Sequence, residues 1–551
     1  MTDFQNWKFP FKTNPEFKTK TAYFCMEYGI DQSFKIYSGG LGFLAGSHMR
    51  SAYDLKQPLI GIGMLWKYGY YDQTRHEDQS LRADFVEKSY AFLQDTGIIV
   101  KVEINGNPNV HVKAFYLAPE VFGTAPMFFL STDVPENDHL ARTICHRLYD
   151  NNPSARVAQS IVLGQGGGKV IDAIGGVEVY HLNEGHGLPL AFHLQEKYPK
   201  LSELKKHLVF TTHTPELAGN EEHDAQFLNK MGFFKRTLST DELAAITHQS
   251  PILNYTLTAL RYSKIANGVS QLHGAVSRKM WEGNPGICKI IAITNAQNTK
   301  YWADDEMYKA LEKGKDKIIS KKKQDLKEIL FREVANQTGK IFDEKALTIV
   351  WARRFAAYKR ADIFLDDMAR LERLLSSTKY PIQIIWAGKP YPLDEYAVSV
   401  FNRLVAFTKE RHNVAVLTGY ELELSRLLKN GADVWLNTPR RPREASGTSG
   451  MTASMNGAIN FSIFDGWVCE FAKHGKNAFI TPVVDSNLSI EEQDRQDKEN
   501  LFKVLEQEIL PLYYDKPDAW LEIVKNSLKD VVPFFNSDRM AREYYERMYS
   551  I

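Results

Sequence analysis

Residues 432–457 read ADVWLNTPRRPREASGTSGMTASMNG. An apolar run, ADVWL, stops at a cluster of arginines (Arg440, Arg441, Arg443), and the small residues of EASGTSG then open a helix. A strand that ends in a charged tip and passes into a helix is the unit of parallel α/β sheets, which carry their chemistry at such tips. Upstream, LTIVWA (347–352), IQIIWA (382–387) and VAVL (414–417) are runs of the same kind. They are apolar without alternation, as expected of strands covered by helices on both faces. The first part of the chain repeats the theme in TAYFCM (21–26), PLIGIGML (58–65), VEVYHL (177–182) and HLVFTT (207–212). The last two run into the polar tips Asn183-Glu184-Gly185-His186 and His213-Thr214-Pro215.

Residues 303–340 separate the two series. They are charged with an apolar stripe, which predicts partly exposed helices near a boundary. The chain therefore reads as an α/β fold in two halves: an N-terminal αβ domain over 1–300, a C-terminal αβ domain over 301–530, and an aromatic amphipathic helix in 531–551 packing on the body. Two such sheets facing a central cleft are the expected architecture.

Composition agrees with a folded, soluble chain. Of 551 residues, 44% are hydrophobic and 25% charged, which excludes a disordered, collagen-like or coiled-coil protein. Lys and Arg total 68 against 67 for Asp and Glu, a net charge of +1. That balance argues against nucleic-acid binding by bulk charge, although averaging hides a local anion pocket. Cys25, Cys145, Cys288 and Cys469 are too few and too scattered for a disulfide framework or a zinc cluster. No metal and a reducing, cytoplasmic setting are expected. The first twenty residues lack a signal-peptide apolar core, and no run reaches the ~20 apolar residues of a membrane span.

Two segments carry charge at strand ends. In Ala352-Arg353-Arg354-Phe355-Ala356-Ala357-Tyr358-Lys359-Arg360, four cations follow a buried-type strand. An arginine fork and a lysine point charge on one loop suit phosphate oxygens, with a solvated charged face as the plainer reading. In 444–450, Gly447 and its small neighbours let backbone amides approach an anion, and Glu444 is placed to accept sugar hydroxyls; a simple capping turn is the alternative. The glycine loop Gly39-Gly40-Leu41-Gly42 is weaker evidence by itself. The histidines and carboxylate at 184–186 and 213 gain weight from lying at tips of successive αβ units.

These residues resemble the α-glucan phosphorylases in their short bacterial form. The resemblance is carried in family order by KIYSGGLGFLAGSHMRSAYDL (35–55), GIGMLWKYGYYDQ (61–73), VYHLNEGHGLPLAF (179–192), VFTTHTPELAGN (209–220), ARRFAAYKRA (352–361) and NTPRRPREASGTSGM (437–451). It implies a GT-B glycosyltransferase of two Rossmann-like domains that transfers glucose with retention between an α-1,4-glucan and phosphate, with pyridoxal phosphate (PLP) as cofactor. By position, Gly39, Gly40 and Leu41 match the loop facing the substrate phosphate, and His213 matches the histidine that meets the donor glucose. Arg354 and Lys359 match the pair that holds the substrate phosphate, and Glu444 the glutamate that grips glucose hydroxyls. Arg353, Tyr420, Gly447, Thr448 and Ser449 match the surroundings of the cofactor phosphate. Glu184, His186 and Asn295 fall on the substrate side, Glu184 in electrostatic support.

The sequence departs from the family where the cofactor is attached. The family's Met-Lys pair appears as Met451-Thr452, and a threonine forms no imine. Thr418 replaces an acidic residue two places before Tyr420, and the family's Asn-Gly appears as Asn295-Ala296. Three readings follow. One is phosphorylase-type transfer with PLP held noncovalently. The second is a nucleotide-sugar-dependent glucosyltransferase that uses the emptied site. The third is a noncatalytic glucan-binding relative. Expected partners are an α-1,4-glucan or maltodextrin and phosphate or a sugar phosphate, with no nucleic acid and no membrane, in a homodimer.

Overall fold

The computed structural model describes residue 4 and residues 6–550. The chain forms two compact units, each built on a mainly parallel sheet. This is the two-domain α/β organisation of a GT-B protein.

The first unit contains a nine-stranded sheet. Its order is Lys289–Ala292, Ile265–Gly268, Leu208–Thr211, Val179–Asn183, Thr21–Phe24, Leu59–Met64, Met127–Ser131, Asn107–Leu117 and Gln94–Ile104. The first seven strands run parallel, and the last two close the edge as an antiparallel ribbon. Thr21–Phe24 and Leu59–Met64 are buried at every position, which explains their unbroken apolar runs. The helix Gly40–Asp54 begins three residues earlier than the apolar spacing from residue 43 indicates, so Gly40, Leu41 and Gly42 form its first turn and only Gly39 lies before it. The helix Ser537–Tyr544 and the turn after it belong to this unit. There Tyr544 and Tyr549 are fully buried, and the Tyr549 hydroxyl lies 2.6 Å from His181 Nδ1.

The second unit is a six-stranded parallel sheet in the order Val414–Leu417, Ile382–Ala387, Leu347–Ala352, Val434–Asn437, Ile459–Ser462, Phe479–Ile480. The strands read at 347–352, 382–387 and 414–417 have the bounds expected. The strand read as ADVWL runs over Val434–Asn437, and Asp433 just before it already bonds through its main chain to Thr348 and Ile459 of the flanking strands. Its carboxylate accepts the Thr348 N–H at 2.9 Å and pairs with Lys327 at 2.6 Å. The charged region 303–340 is two helices, Asp305–Glu312 and Asp316–Thr338.

The units are not contiguous in sequence. The first comprises 1–71, 85–294 and 537–551, and the second comprises 72–84 and 295–536. This differs from the 1–300 and 301–530 division in one respect that matters. The hairpin Asp72–Arg75/Leu81–Asp84 departs from the first series to join the second unit. There Gln73 donates to the Gly388 carbonyl at 2.9 Å and accepts the Gly419 N–H at 3.0 Å, tying together the ends of two strands.

Among the described residues, no helix is long and apolar enough to cross a membrane, and no group of His, Cys, Asp or Glu is arranged to hold a metal ion.

Candidate functional site

In the second unit, strand Leu347–Ala352 ends in Arg353, and a short 3-10 turn, Ala357–Lys359, brings Lys359 back to the sheet end. Next in the sheet, Val434–Asn437 delivers Glu444 through the arginine-rich loop. The three side chains meet. Glu444 Oε2 lies 3.0 Å from Arg353 Nη1, and Lys359 Nζ lies 3.2 and 3.1 Å from the two carboxylate oxygens. All three side chains are at most 10% exposed. Arg354, an exposed residue, adds its charge to the group and bonds to Tyr358.

The charges do not balance: three cations stand against one carboxylate. Burial first, and then Arg353, push the Lys359 ammonium down to about 7, while Glu444 pulls it back. Burial pushes Glu444 upward, but Arg353 and Lys359 outweigh it and hold the carboxyl below its usual range. Arg353 Nε and Nη1 are buried and make no hydrogen bond, so the contact with Glu444 is one of charge without hydrogen-bond geometry. A buried guanidinium with unused donors beside an excess of positive charge is a place for an anion.

The resemblance put Arg353 beside a cofactor phosphate; here it faces Glu444. Tyr420 is buried behind the same loop and donates from its hydroxyl to the Ala352 carbonyl at 3.3 Å. Gly447 caps the helix Thr448–Ser454 in the left-handed conformation, φ 92°, with Thr448 and Ser449 half-buried in its first turn.

Sequence reasoning missed what shapes this turn. Asp465, 2% exposed, accepts the Glu444 N–H at 2.9 Å through one oxygen and the Gly466 N–H at 2.9 Å through the other. Trp467 N–H donates to the Ser446 carbonyl at 2.8 Å. Burial, with Glu444 nearby, raises the Asp465 carboxyl to about 7. The only sequence signal was a lone acid in FDGW.

Position 452 does not fit covalent PLP. Thr452 is buried, and its hydroxyl donates back along the helix to the Ser449 carbonyl at 3.1 Å. The next lysine in sequence, Lys473, is paired with Asp530 at 3.0 Å.

In the first unit, two strand tips meet. Asn183 Nδ2 is committed to Cys25 Sγ at 3.2 Å, so its oxygen accepts from His213 Nε2 at 2.7 Å and the proton is on that nitrogen. Burial, with His273 and His186 nearby, lowers His213 to about 3, so the ring is neutral. Glu184 takes a positive φ of 73°, uncommon outside glycine. Its carboxylate turns inward to accept the His213 N–H, the Thr214 hydroxyl at 3.2 Å and the Gly185 N–H at 3.3 Å. Glu184 thus shapes the histidine loop, and burial raises its pKa. His186 Nδ1 is buried without a hydrogen bond. Asn295, at the start of the second unit's main segment, is buried with its amide oxygen unpartnered. Gly39, Gly40 and Leu41 lie partly exposed where the helix Gly40–Asp54 begins.

Comparison with known proteins points the same way. Residues 252–500 match the family model described as carbohydrate phosphorylase. The chain is 33% identical to the maltodextrin phosphorylase of Thermococcus litoralis, over 98% of this chain and 72% of that one. It is 31% identical to the glycogen phosphorylase of Mycobacterium tuberculosis, over 97% and 71% respectively. A protein of Methanocaldococcus jannaschii, itself uncharacterized, is 47% identical over 96% of this chain and 99% of its own.

Proposed function

The chain belongs to the carbohydrate phosphorylase family, whose members are glycosyltransferases that normally use PLP, and on that premise we propose that it transfers glucose with retention on an α-1,4-glucan. Phosphate is the acceptor in one direction, and glucose 1-phosphate is the donor in the other. The observation that carries the reading is the buried group of Arg353, Lys359 and Glu444, with its surplus positive charge and unused guanidinium donors.

As the bond to the anomeric carbon breaks, that carbon gains positive character and the departing oxygen gains negative charge. Arg354 and Lys359 stabilise the phosphate oxygens in that state. Lys359 is half neutral near pH 7, and an arriving anion restores its proton. Glu444 exchanges part of its cation contact for glucose hydroxyls. In the first unit, neutral His213 orients a sugar through its ring, and Gly39, Gly40 and Leu41 offer backbone amides to the substrate's anionic group. PLP, where the family binds it, supplies a phosphate beside the substrate. In this chain Thr452 denies it a covalent anchor.

Because residue 452 is a threonine and not a lysine, a second reading is a site that takes a nucleotide sugar as donor. One assay separates the two. The purified chain with maltodextrin and inorganic phosphate is expected to release glucose 1-phosphate. Elongation of maltodextrin from a nucleotide-glucose donor, with no phosphorolysis, would replace the first reading with the second.

A further inference from the structure

The glycine loop is held from beneath by a carboxylate that none of the motifs contains. Glu27 is 2% exposed and follows the strand Thr21–Phe24. Its Oε2 accepts the Ser38 N–H at 2.7 Å and the Gly39 N–H at 3.2 Å. Its Oε1 accepts the Ser38 hydroxyl at 3.0 Å and the Tyr149 hydroxyl at 2.7 Å. Tyr149 adopts a positive φ of 59°, and its ring lies 5.7 Å from that of His186. One carboxylate therefore joins the glycine loop to the segment beside the strand tip at 183–186.

The third glycine of the loop has its reason here. A Cβ on Gly42 would sit 2.8 Å from Glu27 Oε2 and 2.7 Å from Tyr37 Cβ. The bare backbone lets the helix start press onto the carboxylate. Glu27 uses the two amides that precede the helix. The helix Gly40–Asp54 has no side-chain cap and no acid in its first turn, so no side chain of that turn takes up the amides of Gly40 and Leu41.

We propose that Glu27 is the positioning residue of the glycine loop: it fixes Ser38 and Gly39 so that the Gly40 and Leu41 amides are set to receive the substrate's anionic group. This rests on the reading that the loop meets that group. Glu27 touches no reacting atom. Its work is to order two half-buried loop amides, those of Ser38 and Gly39.

The test has two arms. In the ligand-free protein, amide hydrogen exchange over residues 36–43 reports the tether whatever the activity proves to be. Glu27→Ala is expected to speed exchange at Ser38 and Gly39 by about tenfold or more, and Glu27→Gln, which keeps an acceptor, to stay within about threefold of wild type. Tyr149→Phe removes one donor without opening a large cavity and gives a smaller change of the same sign, which guards against a Glu27→Ala variant that does not fold. In the activity arm, Glu27→Ala is expected to raise the KM for phosphate about tenfold with kcat changed less than about threefold, and Glu27→Gln to restore it. Unchanged exchange in both Glu27→Ala and Tyr149→Phe overturns the tether. An active wild type whose phosphate KM ignores Glu27→Ala overturns the positioning role. A wild type without phosphorolysis instead counts against the functional reading, and the exchange arm still decides the tether.

Discussion

The cluster in the second unit and the strand-tip cluster in the first are both buried polar groups at the ends of parallel strands, yet their charges are arranged in opposite ways. Arg353, Arg354 and Lys359 share one carboxylate, and Arg353 retains unused donors. Asn183, Glu184 and His213 satisfy one another, and His213 is neutral. The first arrangement carries a surplus of positive charge that, on the proposed reading, an anion would balance. The second ties its one carboxylate and its neutral histidine into hydrogen bonds among themselves and their neighbours, which gives a fixed polar surface without surplus charge. Buried charge without balance is costly to keep, so its survival at one place in the fold marks the place where a ligand supplies the balance.

The strongest way to break this contrast is to remove a cation. Lys359→Ala and Arg354→Ala are each expected to cut glucosyl transfer by ~3 kcal/mol, on the order of a hundredfold, because each loses a charge-assisted contact with a developing anion. Folding should survive, since Glu444 keeps Arg353 in the first variant and both of its partners in the second. Initial rates together with circular dichroism check this. Near-normal rates in both variants would remove the cluster from the chemistry.

A second test sharpens the same contrast through protons. Lys359 titrates at about 7 in the folded chain against a normal 10.5, so above neutrality it is mostly neutral until an anion arrives. Sulfate, which does not titrate in this range, should therefore bind with proton uptake at pH 8. Its affinity should fall by up to about tenfold per pH unit above 7. Calorimetry in buffers of different ionisation enthalpy reads the uptake, and Lys359→Met should abolish it. The stability linkage has a definite sign. The unfolded chain binds this proton more tightly, so the Lys359 contribution rises with pH between about 7 and 10.5. His213, at about 3, contributes nothing to the sulfate linkage.

How much of this was legible beforehand varies with the range of the interaction. The strands 347–352, 382–387 and 414–417 declared themselves because each is buried on both faces, which leaves an unbroken apolar run in the sequence itself. The cations at 353–360 and Glu444 were visible as types, and the resemblance gave them an order. Their pairing was not visible, because Arg353 and Glu444 are ninety-one positions apart and meet only when their strands pair. The hairpin at 72–84 was hidden for a related reason. It is polar and short, and its destination rests on Gln73 reaching Gly388 and Gly419. Glu27 and Asp465 were overlooked because they bind backbone amides, a role that leaves no mark on composition or spacing.

A smaller effect separates the two regions under acid. Burial lowers His48 and His213 to about 3 and His181 well below 6.5. In the unfolded chain these rings take up protons near 6.5, so the first unit loses stability as pH falls below that value. Asp465, raised to about 7, has the opposite sign: its protonation favours the folded state as pH falls from about 7 towards 3.8. Hydrogen exchange at pH 4.5 is expected to open Val179–Asn183 and Leu208–Thr211 before Val434–Asn437. The reverse order would show that the histidines are not what limits acid stability.

The smallest expected effect is at position 452. Thr452→Ser keeps the hydroxyl that bonds to Ser449 and should leave melting temperature and anion binding unchanged. Treating the wild type with PLP and borohydride should add no mass to the peptide carrying residue 452, because a hydroxyl gives no reducible imine. The sharper control lies elsewhere in the second unit. Burial lowers the amine of Lys323 to about 7 and that of Lys429 well below its normal value, which makes these two the lysines to inspect. A reduced adduct on either would mean that the chain has moved its cofactor lysine, and would overturn the proposal that PLP has no covalent anchor here. Thr452→Lys then asks what the pocket has become. A new adduct at 452 would mean that the cradle around Thr448 and Ser449 still accepts PLP and only the anchor is lost. Failure to form it, with sulfate affinity intact, would mean that the anion site has outlived the cofactor site and would favour the nucleotide-sugar donor.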